Sequence, residues 1–479
     1  MNFKFFLLIS CLILWLSATT WAQNTDLIDV LQASKTPIDT ATAISTLNTQ
    51  QSKYQLIQAT SCDQLKSVFV EWAKNIPQYP IMYTVDSAMP KTDSKESVSA
   101  PQWGMNMWVS QTNIQVAGID EPDLVKQDTR AVYFYNSEKQ QVEIYAHRTI
   151  NGKWLITSII KIPSTMSNVQ LMLHNNQLVV VWAYYDQNRS SQTIIIDSSS
   201  MTVVALYDVT SLKNPKLIKH YKAPWYYQDV RLNGSQLTVI SNLGLNLYGL
   251  RDGTIAVDTS KMMPYRGYNQ APTSLKDDGS LNNVKLDCTS VWYPTGTGIT
   301  DTSMTSIVTL NLDNPSIAKS TLIAGNTQTV YMSKDRLYLI GSQYISDTSS
   351  ICPANARCIW NPGTSYTQVT SLNPLNPTKP IVSRIIGYPL GQYAYHQDDT
   401  GNFYLVSQWI SADAKTVSHI WKLDKSGTVV GALMGLQPGE QFKSSRYLGD
   451  KLYLVTFEQT DPLFVIDLST TSPTVVGEL

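Results

Sequence analysis

Charge is what this chain has least of. Only 15% of its 479 residues are Asp, Glu, Lys or Arg, and the formal net charge is -1. A nucleic-acid surface needs a clustered basic stripe, and none occurs, so no nucleic-acid partner is expected. Histidine is scarce too: His147, His174, His220, His396 and His419 are scattered. There is no His-Glu-x-x-His, no Gly-x-Ser-x-Gly, no phosphate loop and no dinucleotide fingerprint. These absences exclude the common motif-borne chemistries and any firmly implied cofactor. A site assembled from distant segments stays open. Beyond residue 22 no apolar run approaches the roughly 18 residues that a membrane span needs.

What is present favours β structure. Tyr numbers 26, and Ser, Thr, Asn and Gln fill the polar positions. Hydroxyl, amide, β-branched and aromatic side chains suit half-buried pleated surfaces.

Residues 1–22 read as a secretory signal peptide. Phe5 to Ala18 is almost wholly apolar, and Thr20-Trp21-Ala22 places small residues at the -3 and -1 positions of a cleavage site. Leu8-Ile9-Ser10-Cys11 faintly matches a lipoprotein box, but apolar sequence continues past Cys11, against lipidation there. Residues 23–59, rich in Thr, Ala, Ser and Gln, read as a polar, loosely packed arm. Residues 60–84 begin with an amphipathic helix. Ser61 and Gln64 form a capping box, and Leu65, Phe69, Trp72 and Ala73, with Val68 beside them, share one face. That face has no local partner, and the opposite face is not basic, so docking on the following domain is expected rather than a membrane surface. Residues 85–109 read as a polar linker, ending in Trp103, Met105, Met107 and Trp108.

From Leu124 onward one pattern recurs: an extended segment reaches a polar turn, and an apolar strand leaves it. Copies begin at Val125, Val169, Val230, Val330, Tyr395 and Ser445. Asn, Asp and Gly supply the positive φ angles of tight hairpins. Further strands follow, punctuated at Asn214-Pro215, Asn314-Pro315 and Asn376-Pro377, because proline cannot donate to a ladder. Four-stranded units at spacings of very roughly 45–65 residues indicate an all-β fold, a β-propeller of about six four-stranded blades. The third unit is stretched by an insertion, Asn246 to Thr300.

The stretch between the two regimes is Ser110-x-Thr112-Asn113-x-Gln115-x-x-Gly118-Ile119-Asp120-Glu121-x-Asp123-Leu124-Val125-Lys126. It resembles the lead-in motif of a family of secreted bacterial and archaeal proteins with a C-terminal β-propeller domain. The last residues, Leu454 to Leu468 and Pro473 to Leu479, resemble the same family. The resemblance covers residues 110–479, implies the propeller, implies further strands after Leu479, and carries no activity. Thr129 stands where a turn glycine is expected. A six-unit ring closes if Thr112 to Gly118 lends a strand to the last sheet. The implied further strands favour the alternative, an open arc exposing an apolar sheet face along Leu463-Phe464-Val465-Ile466.

With Cys11 removed, Cys62, Cys288, Cys352 and Cys358 remain, an even number in an exported chain. Disulfides are favoured over the rival, metal ligation, since no Cys-x-x-Cys or clustered His accompanies them; Cys352–Cys358 closes a short loop, which leaves Cys62 with Cys288. The densest acidic cluster is Asp120, Glu121, Asp123 and Asp128, whose carboxylates are candidates for a Ca²⁺ site. The same residues can cap turns or pair with Lys126 and Arg130, and this structural reading is the favoured one. Function reads as an exported binding or cell-envelope module, with a protein or glycan at the cell surface as partner and no transmembrane anchor after cleavage. The alternative is a secreted hydrolase or lyase at the channel mouth, Ca²⁺-dependent in one version. No catalytic residue is assigned.

Overall fold

The computed structural model describes residues 39–52, 54–75, 114–150, 153–162, 166–185, 200–224, 226–255, 257, 265–269, 282–285, 287–295, 303–314, 317–345, 364–375, 379–410, 415–457 and 462–479. The residues read as a signal peptide, those read as a linker, and Cys352 and Cys358 with their expected pairing lie outside them.

Among the described residues six sheets, each built on four antiparallel strands, follow one another along the chain. Blade 1 is built from Val125–Gln127, Ala131–Asn136, Gln141–Ile150 and Lys153–Lys161. Blade 2 takes Met166–His174, Gln177–Tyr185, Ser200–Asp208 and Lys216–Pro224. Blade 3 takes Tyr226–Asn233, Gln236–Gly244, Ser303–Asn311 and Ile317–Ala324. Blade 4 takes Thr329–Met332, Leu337–Ile345, Thr364–Leu372 and Ile381–Ile386. Blade 5 takes Tyr388–Pro389 with Tyr395–Gln397, then Phe403–Ile410, Thr416–Leu423 and Val429–Leu436. Blade 6 takes Gln441–Leu448, Lys451–Phe457, Leu463–Asp467 and Thr474–Glu478.

The hairpin turns follow their residues. Asn175, Gly234 and Gly449 adopt left-handed φ angles of 51°, 57° and 58°, which match the twist of the flanking strands. Blade 1 turns differently. Asp128 Oδ1 accepts from the amides of Arg130 and Ala131, each at 2.8 Å, so the turn forms around Thr129 without the glycine.

The insertion widens its neighbours. Its hairpin Tyr265–Asn269 and Asn282–Lys285 extends the outer edge of blade 2. Val291–Pro294 runs parallel to Ile317–Ala324 and extends blade 3.

Central strands of the blades bury apolar side chains against the neighbouring sheets, so side chains from adjacent sheets interlock. One core joins Tyr133 and Ile144 of blade 1 to Val180 and Trp182 of blade 2. A second joins Val179 and Leu206 of blade 2 to Val239 and Val308 of blade 3. A third joins blades 3 and 4 through Ile307, Leu322, Val330 and Leu339. A fourth runs through blades 4, 5 and 6, from Ile340 by way of Phe403 and Trp421 to Leu454 and Phe464. Among the described residues no apolar cluster joins blade 6 to blade 1.

From residue 39 on, the described part of the arm is packed rather than loose. Its first helix, α1 (Thr40–Gln51), is capped by Asp39, whose Oδ1 accepts from Thr42 N at 3.0 Å. A strand follows, β1 (Leu56–Gln58), which pairs with Val291–Pro294 on the edge of blade 3. The arm lies across the outer edges of blades 5, 4 and 3 as a strap. Helix α2 (Cys62–Asn75) then buries Leu65, Phe69, Trp72 and Ala73 in the core shared by blades 3 and 4, as its sequence pattern predicts. The Ser61 hydroxyl accepts from Gln64 N at 3.1 Å. The Gln64 side chain reaches back to Thr60 N at 2.7 Å, one residue earlier than a strict capping box. Cys62 and Cys288 form a disulfide that ties α2 to the insertion, with Cα atoms 5.1 Å apart.

Candidate functional site

The lead-in segment occupies the hub of the ring. Ile119–Asp120, β2, pairs with Leu232 and Asn233 on the innermost strand of blade 3. Gly118, at φ 88°, makes the turn before it, a conformation that suits glycine. Asp123 then exchanges backbone bonds with Leu171 of blade 2, at 3.2 and 2.8 Å. Val125–Gln127 follows as the first strand of blade 1. Behind β2, the Gln115 side chain donates to the carbonyl of Gln392 in blade 5. The segment thus reaches four blades. It lends its strand to blade 3, not to the last sheet as ring closure by Thr112 to Gly118 requires.

Charges from several blades meet at this hub. Lys126, 6% exposed, donates to Asp120 Oδ1 at 2.7 Å and to the carbonyl of Glu121 at 2.6 Å. Arg231, buried in blade 3, pairs with Asp229 and donates to Val330 O of blade 4 at 3.4 Å. Its Nε lies 4.0 Å from Glu121 Oε1, which also accepts from Gln115 N at 3.1 Å. Burial pushes the Asp229 carboxyl above its ordinary value, while Arg231 pulls it back. Cations and carboxylates here satisfy one another, as buried ions must.

The four acidic residues of the candidate Ca²⁺ site point to separate partners. Asp120 pairs with Lys126, and Glu121 faces Gln115 and Arg231. Asp123 Oδ1 accepts from Leu124 N at 2.7 Å, closing its own turn. Asp128 takes the Arg130 guanidinium at 2.7 Å. Burial opposes ionisation of Asp128, but the hydrogen bonds from Arg130 and Ala131 outweigh it and hold the carboxyl below its usual range. Among the described residues no three of His, Cys, Asp and Glu converge as metal ligands.

A different site opens where the strap crosses blades 4 and 5. A groove of about 390 Å³ is lined by Asn48, Gln51, Tyr54, Ile381, Val382 and Thr428, with their neighbours. Asn48 grips Val429 with both ends of its amide, accepting at 3.0 Å and donating at 2.9 Å. Gln51 Nε2 donates to Gly427 O at 2.7 Å. Gly427 is required: its φ is 81°, and a Cβ there would sit 2.4 Å from Ser383 Oγ. Tyr54 donates its hydroxyl to Gln368 at 2.7 Å, and the Arg384 guanidinium lies over its ring at 3.2 Å. Gln51 Oε1 is buried without a donor among the described residues.

The lining carries amides, hydroxyls, one tyrosine and the apolar Leu56, Pro380, Ile381 and Val382, and no charged side chain. Such a set can hold a polar ligand, but it offers no nucleophile with an adjacent base. Sequence reasoning missed this groove because half of it comes from the arm. The signals were small: Asp39 as a cap, and Ala43 and Leu47 spaced as one helical face.

Comparison with known proteins agrees with this architecture. The family described as Beta propeller domain matches residues 109–479. An uncharacterized protein of Methanocaldococcus jannaschii is 25% identical over 441 residues, covering 77% of this chain and 61% of the relative. One from Archaeoglobus fulgidus is 22% identical over 502 residues, covering 88% of this chain and 72% of that protein. The chain therefore spans about three fifths of the length of the first relative. Among solved structures, Kluyveromyces lactis Hsv2 is similar with a TM-score of 0.30 and 9% identity, over 75% of this chain and 87% of that one. Pyrococcus horikoshii acylaminoacyl peptidase has a TM-score of 0.30 and 8% identity, over 70% of this chain and 42% of that chain.

Proposed function

Because the chain belongs to the Beta propeller domain family, we propose that it is an exported binding module that holds a cell-surface glycan in the strap groove. A propeller of this kind serves generally as a rigid platform for binding. One observation carries the reading: the groove is lined by hydroxyl and amide groups beside the apolar Leu56, Pro380, Ile381 and Val382, without a charged residue. A saccharide presents hydroxyls to such groups and its apolar face to Ile381 and its apolar neighbours. Export rests on the signal-like residues 1–22 and is supported by the Cys62–Cys288 pair, which suits an oxidising compartment. The hub's carboxylates come from the lead-in segment and blade 3, and they are spent on Lys126, Arg231 and backbone amides.

The test is an array of bacterial and archaeal surface glycans, probed with the full oxidised chain and with Ser52→Trp, which fills the groove. The reading expects a subset of glycans to be retained by the first and lost by the second. Retention unaffected by Ser52→Trp, or retention of extended peptides only, refutes it.

A further inference from the structure

The strap is held less firmly than the elements on either side of it. Helix α1 buries only Ala43 and Leu47 and otherwise relies on the amides of Asn48 and Gln51. Beyond the strap the chain is fixed, because α2 buries Leu65, Phe69, Trp72 and Ala73. Between the two helices lies β1, and what holds β1 is a strand added to the ring from outside.

That strand is Val291–Pro294 of the insertion. It meets blade 3 through two register pairs, Val291 with Leu322 and Trp292 with Ile323. Ser303–Asn311 and Ile317–Ala324 beside it pair along almost their whole length. On its other edge β1 adds three pairs, Leu56 with Pro294, Ile57 with Tyr293 and Gln58 with Trp292. Backbone bonds extend this ladder at both ends: Thr295 N donates to Gln55 O and Ala59 N to Val291 O, each at 2.8 Å. Gln58 Nε2 donates to Thr289 O at 2.6 Å. A two-stranded ladder this short is marginal by itself.

The Cys62–Cys288 disulfide closes one end of that ladder, just after β1 on one segment and just before Val291 on the other, between cysteines 226 positions apart in sequence. With the bond in place, opening the ladder frees two short stretches whose ends stay side by side, so they re-pair at high effective concentration. With the bond cut, each strand keeps only its own anchor, and fraying from that end runs on into β1. Tyr54, Gln55 and Leu56, at the ladder's other end, line the strap groove, so loss of the ladder takes away one wall of it.

We propose that the Cys62–Cys288 bond is a redox latch on the strap. Reduction lets β1 and Val291–Pro294 part and the strap leave the outer edges of blades 3 to 5, while the ring stays folded. The cores between blades 1 and 2 and between blades 2 and 3 contain no strap residue, and α2 keeps its own four apolar anchors. The reductant is a dithiol. One of its thiolates bonds to the sulfur of Cys62, the half-buried partner, and the disulfide breaks with its electron pair leaving on the buried Cys288. The second thiolate then displaces the Cys62 sulfur. The dithiol ends as a disulfide, and the two cysteines end as thiols, having gained two electrons and two protons. That an opened groove lets go of its ligand rests on the glycan reading. Release of the strap does not, and its test needs no ligand.

The experiment is hydrogen exchange read by mass spectrometry on the full oxidised chain carrying Cys352→Ala and Cys358→Ala, with and without dithiothreitol. Reduction speeds exchange about tenfold or more in peptides from residues 39–59 and 291–295. It leaves Ser200–Asp208 and Thr416–Leu423, inside their blades, unchanged, and reoxidation restores the strap's protection. A second variant, Cys62→Ala with Cys288→Ala and the other cysteines kept, shows the opened pattern without reagent. If that variant fails to fold, reduction of the already folded chain carries the test. If the first variant fails to fold, the second is compared with wild type. Strap exchange that loss of the bond leaves unchanged overturns the proposal. So does exchange that speeds in the blade strands as much as in the strap, because the bond is then a staple of the whole fold and not a latch.

Discussion

His419 makes the stability of blade 5 depend on pH. It lies in the strand Thr416–Leu423, 5% exposed, edge-on to the Trp421 ring at 5.7 Å. Gly435 N donates to its Nδ1 at 3.0 Å, so the neutral ring carries its proton on Nε2. Burial pushes its pKa down to about 4. In the unfolded chain a histidine titrates near 6.5. The folded value is the lower one, so as pH falls the unfolded state takes up the proton first and stability is lost. The loss begins near pH 6.5 and is complete near pH 4, at about 3 kcal/mol for about 2.5 pKa units. At about pH 5 it has reached about 2 kcal/mol relative to neutrality. The assay is urea unfolding of wild type and His419→Asn at about pH 7 and about pH 5, with the asparagine side-chain carbonyl replacing the acceptor for Gly435 N. Carboxylates such as Asp128, Asp398 and Asp467 are held below their ordinary values. They destabilise both proteins alike in acid and cancel in the comparison. The variant should lose about 2 kcal/mol less than wild type between the two conditions. Equal losses in the two proteins would refute the reasoning.

Three further outcomes are expected. Arg231→Met strands Asp229 and Glu121 in the hub and should cost about 3–5 kcal/mol in urea unfolding, with recovery when Asp229→Asn is added; no recovery would deny the pairing. Gly427→Ala should cost about 1–3 kcal/mol through its left-handed φ and the clash at Ser383, and should speed proteolytic cleavage in the strap. Treatment with a chelator should leave the melting temperature unchanged, since Asp120, Glu121, Asp123 and Asp128 already have protein partners; a drop that Ca²⁺ restores would reopen the cation site.

What the sequence discloses depends on how far apart the partners lie. The six hairpins are legible because alternation and turn chemistry are local: Asn175, Gly234 and Gly449 announce their own φ angles. Helix α2 is legible because Leu65, Phe69, Trp72 and Ala73 repeat at helical spacing. Helix α1 is not, because it buries only Ala43 and Leu47 and is held by amides whose acceptors are remote. Asn48 finds Val429 across 381 positions. No local pattern encodes that pairing, so the groove it frames was invisible too. The acidic cluster was half legible. Asp123 and Asp128 cap their own turns, within reach of inspection, whereas Arg231, which faces Glu121, lies in another blade.

The strap sets a timetable. Its binding surface does not exist until the strands holding Val382, Gly427 and Val429 have been made and paired, long after residues 39–58 have been synthesised. Contacts of such high sequence separation form slowly, because a long loop must close before any of them is rewarded. This early part of the chain is therefore among the last to settle, and its docking reports that blades 3, 4 and 5 are in place.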